Sequence, residues 1–264
     1  MQPHIFGVRA FVAMWIVAAV CGIGVGTQLA RREGFPLWRS VVALACFAVT
    51  ILLGSKLQYI LEHLVFPVDD PAPAGASALQ AFWHGFRIPG GILLLAPVFP
   101  IVCGALRLPT LRFVDAVIPA AGVSLSFIRL GCLANGCCFA RPTNFPLAMT
   151  FPSGARVTEW QRAQGLIAPT ASASLPVHPL QIYFAVLGAA LYVLGRRWQT
   201  HKQFDGEVWA KFYVLFFGAT FVLELLRPTV LHLNLIVTAT VVALTLWARG
   251  RARPVPTVAV GVPS

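Results

Sequence analysis

Seven long apolar runs dominate the chain, near residues 8–29, 41–61, 88–106, 112–130, 179–197, 207–226 and 232–248. A helix of about 20 residues rises far enough to cross roughly 30 Å of hydrocarbon, so each run is of membrane-spanning length. Inside lipid no water satisfies the peptide groups, and only helices or closed barrels satisfy them internally. These runs are continuous rather than alternating, which selects helices. The expectation is an all-α, polytopic membrane protein of about seven transmembrane helices, with a long periplasmic loop segment between helices four and five. Charged residues make up 11% of the 264, against about 25% in soluble domains, too few to solvate a water-facing surface of this size. The first run reads as a membrane helix rather than a cleaved leader, because no small-residue cleavage site leads into a polar domain. Residues 1–253 are expected to form one integral membrane domain, and 254–264 a short, disordered Pro-rich tail.

The formal net charge of +11 is not spread along the chain. Arg31, Arg32 and Arg39 fall in one connection, Arg107 and Arg112 in another, Arg196, Arg197 and Lys202 in a third, and Arg249, Arg251 and Arg253 follow the last run. These are alternate connections, so they lie on one side of the membrane, and the positive-inside rule makes that side cytoplasmic. The N-terminus is then outside and the C-terminus inside. No nucleic-acid signature accompanies the basic clusters, so no nucleic-acid partner is expected. The connections with Glu62, Asp69 and Asp70, the 131–178 segment and the 227–232 turn fall on the outer side. A stretch as long as 131–178 is more than a connection and usually carries function. No internal repeat is visible, which counts against a transporter built on inverted repeats.

A charge within the hydrocarbon costs at least about 2.5 kcal/mol, yet Lys56, Arg129, Glu224 and Arg227 all lie towards the outer ends of expected helices. His84 and Arg87 precede the third helix, and His178 opens the fifth, all on the same side. Each has an ordinary explanation alone. Long cations near helix ends reach headgroups unaided, and Glu224 with Arg227 at i,i+3 can neutralise itself. As a set they describe an anion-binding cavity, where guanidinium forks suit a phosphate. In His84-Gly85-Phe86-Arg87-Ile88-Pro89-Gly90-Gly91 the glycines either let backbone approach a ligand or serve helix packing. In His178-Pro179-Leu180-Gln181-Ile182-Tyr183 a Pro stands at a helix start, with His178, Gln181 and Tyr183 in the turn nearest the cavity.

Of six cysteines, Cys21, Cys46 and Cys103 sit inside apolar runs as small core residues. Cys132, Cys137 and Cys138 cluster in Arg129-Leu130-Gly131-Cys132-Leu133-Ala134-Asn135-Gly136-Cys137-Cys138. Their spacing is not that of a zinc site, and neither metal nor cofactor is expected. A disulfide from Cys132 to Cys137 or Cys138 and a thiol activated by Arg129 both stay open.

Several segments in order resemble the prolipoprotein diacylglyceryl transferase family: His4-Ile5-Phe6-Gly7, Gly54-Ser55-Lys56-Leu57-Gln58-Tyr59, His84-Gly85, Asp115, Arg129-Leu130-Gly131 to Asn135-Gly136, Asn144-Phe145-Pro146-Leu147-Ala148-Met149, His178 to Tyr183, and Glu224-Leu225-Leu226-Arg227. The resemblance implies an inner-membrane bacterial enzyme. It would move a diacylglyceryl group from phosphatidylglycerol, a membrane lipid, to the lipobox cysteine of a prolipoprotein signal peptide. It implies His84 in proton handling, Arg129 on the phosphate, and Gly85, Arg87, Asn135, His178, Gln181, Tyr183, Glu224 and Arg227 around the headgroup. The chain departs from the family pattern at Cys132 (commonly Asn), Cys137 (commonly Glu), Phe6 (often Tyr), Phe184 (often acidic) and Thr220 or Phe221 (where an Arg is usual). Two other functions fit the same scaffold: thiol redox or relay chemistry at the three cysteines, and non-catalytic lipid binding or transport.

Overall fold

The structure is a computed structural model that describes residues 4–5, 8–65 and 87–227. Two-residue strands β1 (His4–Ile5) and β2 (Val8–Arg9) pair antiparallel and lead into helix α1 (Ala10–Arg32). Helix α2 (Leu37–Val65) starts after Pro36, and α3 (Ile88–Ala105) carries a proline in its first turn. Proline is tolerated there because the first helical N–H groups have no partner within the helix. The next apolar run is broken into α4 (Thr110–Val117) and α5 (Pro119–Asn135), bent by 45°. Pro119 accounts for the break: Ile118 keeps helical backbone, but Pro119 has no N–H to bond Asp115 O and its ring crowds that carbonyl, which accepts from Gln199 Nε2 instead. A short helix α6 (Arg156–Ala163) lies within the long loop, followed by α7 (Leu180–Gln199) and α8 (Glu207–Glu224).

The helices pack as a chain of neighbours: α3 on α2, α2 on α1, α1 on α5, α5 on α7 and α7 on α8. Small residues set the close crossings, as expected where lipid supplies no hydrophobic drive between helices. At the α1–α5 crossing Ser124 Oγ donates to Ala18 O at 2.9 Å, beside Gly22. At the α5–α7 crossing Gly122 and Gly188 meet backbone to backbone: a Cβ on either would lie 2.4–2.5 Å from the other's carbonyl oxygen. Gly54 meets Gly90 in the same way between α2 and α3, and Gly91 abuts Ile51 and Ser55. Gly90 and Gly91 are therefore packing glycines. The outward faces are apolar and exposed, with Ile16, Val17 and Val20 on α1, Leu53, Leu57 and Ile60 on α2, and Leu93 and Ile101 on α3. Such faces suit lipid and not water.

Six of the seven expected intervals are helical. The seventh (232–248) and the 254–264 tail lie outside the described residues. Three helices, α1, α2 and α3, are long and apolar enough to cross a membrane, and the bent α4–α5 pair makes a fourth candidate. Helices α7 and α8 are helical where expected but less apolar. The first ends in Arg196 and Arg197, and the second carries Glu207, Lys211 and Glu224. The fold is that of a helical membrane protein, with three or four spans by length and apolarity among the described residues.

The alternate connections gather at a common end. Arg112 Nη2 donates to Glu33 O at 3.2 Å, joining the connection after α1 to that before α4. Gln199 Nε2 donates to the carbonyls of Asp115 and Ala116 at 2.7 and 2.8 Å. Asp115, fully buried, caps α8 from α4: Gly206 N–H donates to its Oδ2 at 2.7 Å and Trp209 N–H to its Oδ1 at 3.0 Å. A carboxylate at a helix N-terminus satisfies orphan N–H groups and favours the dipole. Lys202 Nζ lies 3.8 Å away. The C-terminal ends of α5 and α8 and the start of α7 lie at the other end, where the candidate site forms.

Candidate functional site

The site is assembled from four pieces: the last turns of α5, the cysteine turn that follows, the first turns of α7 and the end of α8. Helix α5 stops at Gly136, whose left-handed backbone (φ +61) lets its N–H bond back to Leu133 O at 3.1 Å. The amide of Cys137 bonds back to Cys132 O at 3.2 Å. Cys138 also takes a left-handed conformation (φ +60), which is costly for any residue with a Cβ. The outcome is that the Sγ atoms of Cys132, Cys137 and Cys138 all lie within 4.8 Å of one another. All three are free thiols, so the disulfide left open by the sequence is not formed here.

Helix α7 holds this turn from the side. Gln181, fully buried, donates from Nε2 to Cys137 O at 2.7 Å. Its neighbour one turn on, Phe184, lies under Arg129, whose Cζ is 4.1 Å from the ring centroid. Phe184 stands where the resemblance implies an acidic residue; its π-face carries the cation, and the charge of the buried Glu224 acts on the same guanidinium. The Nε of Arg129 is buried and has no hydrogen-bond partner. His178 Nδ1 approaches Tyr183 OH at 3.4 Å, with its ring 5.2 Å from that of Phe145 in the long loop. That loop has a core of its own, built from Phe151, Ala155, Val157 and Val177 with Leu133, Phe139 and Met149 packed against it.

Helix α8 brings the second cation. Arg227 Nε lies 3.0 Å from Glu224 Oε1, an i,i+3 ion pair whose angle leaves Nε without a hydrogen bond. Arg141 ties this end to the cysteine turn, donating from Nε to Arg227 O at 2.8 Å and from its amide to Leu226 O at 2.9 Å. Arg129 and Arg227 act on a common point. Hydrogen bonds with the thiols of Cys132 and Cys137 hold Cys138 well below the usual thiol range against its burial, and both guanidinium charges push the same way. Asn135, the last residue of α5, has its side chain against the Cys137 thiol.

The structure thus brings together Arg129, Cys132, Asn135, Cys137, Cys138, Gln181, Glu224 and Arg227, with His178 and Tyr183 on the adjoining turn of α7. His84 and Gly85 lie outside the described residues. Arg87 belongs to a different pair of helices. Its Nε contacts Glu62 Oε2 of α2 at 2.7 Å, and its guanidinium sits 5.6 Å from the Tyr59 ring centroid. Sequence reasoning gave no role to Arg141 or to Phe145. Proximity to the cysteine run was the only signal for the first, and membership of the Asn144–Met149 segment of the family resemblance was the only signal for the second.

A family model for prolipoprotein diacylglyceryl transferase matches residues 2–252. The chain belongs to that family. The described helices, the cysteine turn and the cationic end of α8 all fall inside the matched range. Proteins named phosphatidylglycerol–prolipoprotein diacylglyceryl transferase are similar to it along most of their length. That of Clostridium tetani is 25% identical, covering 84% of this chain and 81% of the relative. That of Geobacter sulfurreducens is 28% identical, covering 86% and 81%. That of Nitratidesulfovibrio vulgaris is 30% identical, covering 83% and 76%.

Proposed function

We propose that the chain transfers the diacylglyceryl group of phosphatidylglycerol to the cysteine thiol of a prolipoprotein signal peptide. The membrane in question is the bacterial inner membrane, crossed seven times with the N-terminus periplasmic and the C-terminus cytoplasmic. Family membership and the names of the relatives support the reaction. The gathering of basic connections at one end of the bundle supports the orientation. A single integral membrane domain over 1–253, with 254–264 as a tail, fits the extent of the family match.

The observation that carries the reading is the pair of guanidinium groups meeting at the cysteine turn, each with a buried Nε that makes no hydrogen bond, Arg227 being in addition ion-paired with Glu224. A buried donor left unpaired costs about 1–3 kcal/mol, and a phosphate oxygen removes that penalty. In the transfer, the acceptor sulfur gives an electron pair to the glyceryl carbon. The bond from that carbon to the phosphate oxygen breaks, glycerol phosphate leaves, and the thiol proton passes to a base. Arg129 and Arg227 would stabilise the charge that collects on the leaving phosphate. His84 would take the proton, Glu224 would hold Arg227, and Asn135, His178, Gln181 and Tyr183 would shape the headgroup site. Gly85 would allow close approach of backbone, and Arg87, tied to Glu62, would border the entrance.

The test is mass spectrometry of a lipobox peptide incubated with phosphatidylglycerol and the purified protein. A gain of one diacylglyceryl unit on the cysteine supports the reading. Lipid moved between leaflets with no modified peptide would point instead to transport or binding alone.

A further inference from the structure

Three cysteine sulfurs in one turn are more than phosphate recognition requires. Adjacent side chains in extended backbone point to opposite sides, so Cys137 and Cys138 would ordinarily diverge. The left-handed backbone at Cys138 (φ +60) turns the chain so that both meet Cys132. The turn is pinned by backbone bonds from Gly136 and Cys137 into α5, by Val157 N–H on Gly136 O at 3.1 Å, and by Gln181 on Cys137 O at 2.7 Å. The strain at Cys138 is held in place by its surroundings, a pattern met at functional sites. Tetrahedral zinc with Zn–S bonds of about 2.3 Å sets its sulfurs about 3.8 Å apart. The three Sγ atoms, all within 4.8 Å, need close by no more than about 1 Å.

We propose that Cys132, Cys137 and Cys138 form a three-thiolate site for one zinc-class divalent ion, with its fourth position open to the acceptor thiol. Charge decides for a divalent ion. Three thiolates and a dication sum to one negative charge, and Arg129, Arg227 and Glu224 beside them sum to one positive charge. An all-sulfur donor set selects thiophilic ions over magnesium or calcium. Among the described residues no His or carboxylate completes the set, and three protein ligands with a free position is the pattern of catalytic rather than structural zinc. An acceptor cysteine binding there exchanges for water, loses its proton to solvent or base, and is held as a thiolate beside the cations that receive the phosphate. The sequence spacing hides this site because the third ligand comes from helix α5 and the other two from a reversed turn.

The open position rests on the transferase reading; the metal site does not. The experiment loads the full-length reduced protein in detergent with Co2+ as a spectroscopic stand-in for zinc, with elemental analysis of zinc-loaded protein in parallel. One ion per chain is expected. Intense sulfur-to-cobalt absorption and the visible bands of a four-coordinate site should appear, and should shift when a lipobox peptide with a free cysteine is added. Cys137→Ser and Cys138→Ser should each abolish the sulfur band while keeping the helical circular dichroism and thermal transition of the parent. Should either serine variant misfold, removal and return of the ion on the unaltered protein replaces it: binding must be reversible and blocked by prior thiol alkylation. Binding below one ion per chain, or a sulfur band that survives Cys137→Ser, overturns the site. A stoichiometric site whose bands ignore the peptide overturns the open position. Peptide lipidation by metal-free protein at the full rate would sink the zinc role and leave the transferase standing. A stoichiometric site in a protein that never lipidates the peptide would do the reverse.

Discussion

Replacing Gly188 by Ala tests how tightly the α5–α7 crossing sets the site. The added Cβ would lie 2.5 Å from Gly122 O, 2.6 Å from Ser126 Oγ and 2.9 Å from Ser126 N. Ordinary contact begins near 3.4 Å, so the helices must separate by about 0.9 Å, the difference from the shortest contact. Ser126 cannot easily yield, because its hydroxyl bridges Gly122 O at 3.1 Å and Ala185 O at 2.8 Å. Overpacking of this kind costs about 1–3 kcal/mol. One turn from Gly188, Phe184 carries the Arg129 guanidinium 4.1 Å from its ring, so the shift reaches the cation directly. A displacement near 1 Å can cost about a hundredfold in rate. Gly188→Ala should therefore lower peptide lipidation by about tenfold to a hundredfold and lower the thermal midpoint in detergent. Gly24→Ala is the control, because nothing lies within 4 Å of a Cβ there. It should be neutral or raise stability by about 0.5–1 kcal/mol, as Ala does over Gly within a helix. Parent activity and parent stability in Gly188→Ala would refute the claim that the backbone contact positions Arg129.

Three further outcomes follow from the packing. Asp115→Ala strands the buried amide of Gly206 and the half-buried amide of Trp209 and should cost about 2–6 kcal/mol at roughly 1–3 kcal/mol per orphaned group, measured as a fall in the denaturation midpoint. Gln181→Leu removes the donor to Cys137 O and should lower the midpoint by about 1–3 kcal/mol, with faster alkylation of the cysteine turn counted by mass. Arg87→Ala breaks the pair with Glu62, in which both side chains are about a third exposed. It should raise KM for phosphatidylglycerol while changing kcat by less than about threefold, as expected for uniform binding; a collapse of kcat would place Arg87 on the phosphate itself.

Much of the fold was legible because lipid imposes one rule, that long apolar runs become helices. The run at 112–130 shows the limit. Hydropathy joins it into one span, while Pro119 bends it by 45° through the loss of a single N–H. Helices α7 and α8 were legible as helices from their apolar content, but Arg196, Arg197, Glu207 and Lys211 keep them outside the set of helices long and apolar enough to cross a membrane. In the site, Arg129 and Arg227 stood out because charge is rare near lipid. The role of Gln181 did not, because its partner is a backbone carbonyl 44 residues away in sequence. The meeting of three thiols was equally hidden, since it depends on left-handed backbone at Cys138, a residue type with no marked preference for that conformation. Gly90 and Gly91 were ambiguous between ligand approach and packing, and the contacts with Ile51, Ser55 and Gly54 decide for packing.

The central claim is that Arg129 stabilises a leaving phosphate. Its most direct test is the rate of diacylglyceryl transfer by Arg129→Gln, with the parent's circular dichroism and thermal midpoint as a check on folding. Losing a preorganised donor to developing charge costs about a hundredfold to a thousandfold, and that loss is the predicted result, carried by kcat. A well-folded Arg129→Gln protein that lipidates the peptide within about threefold of the parent rate, well inside the hundredfold expected, would contradict the account.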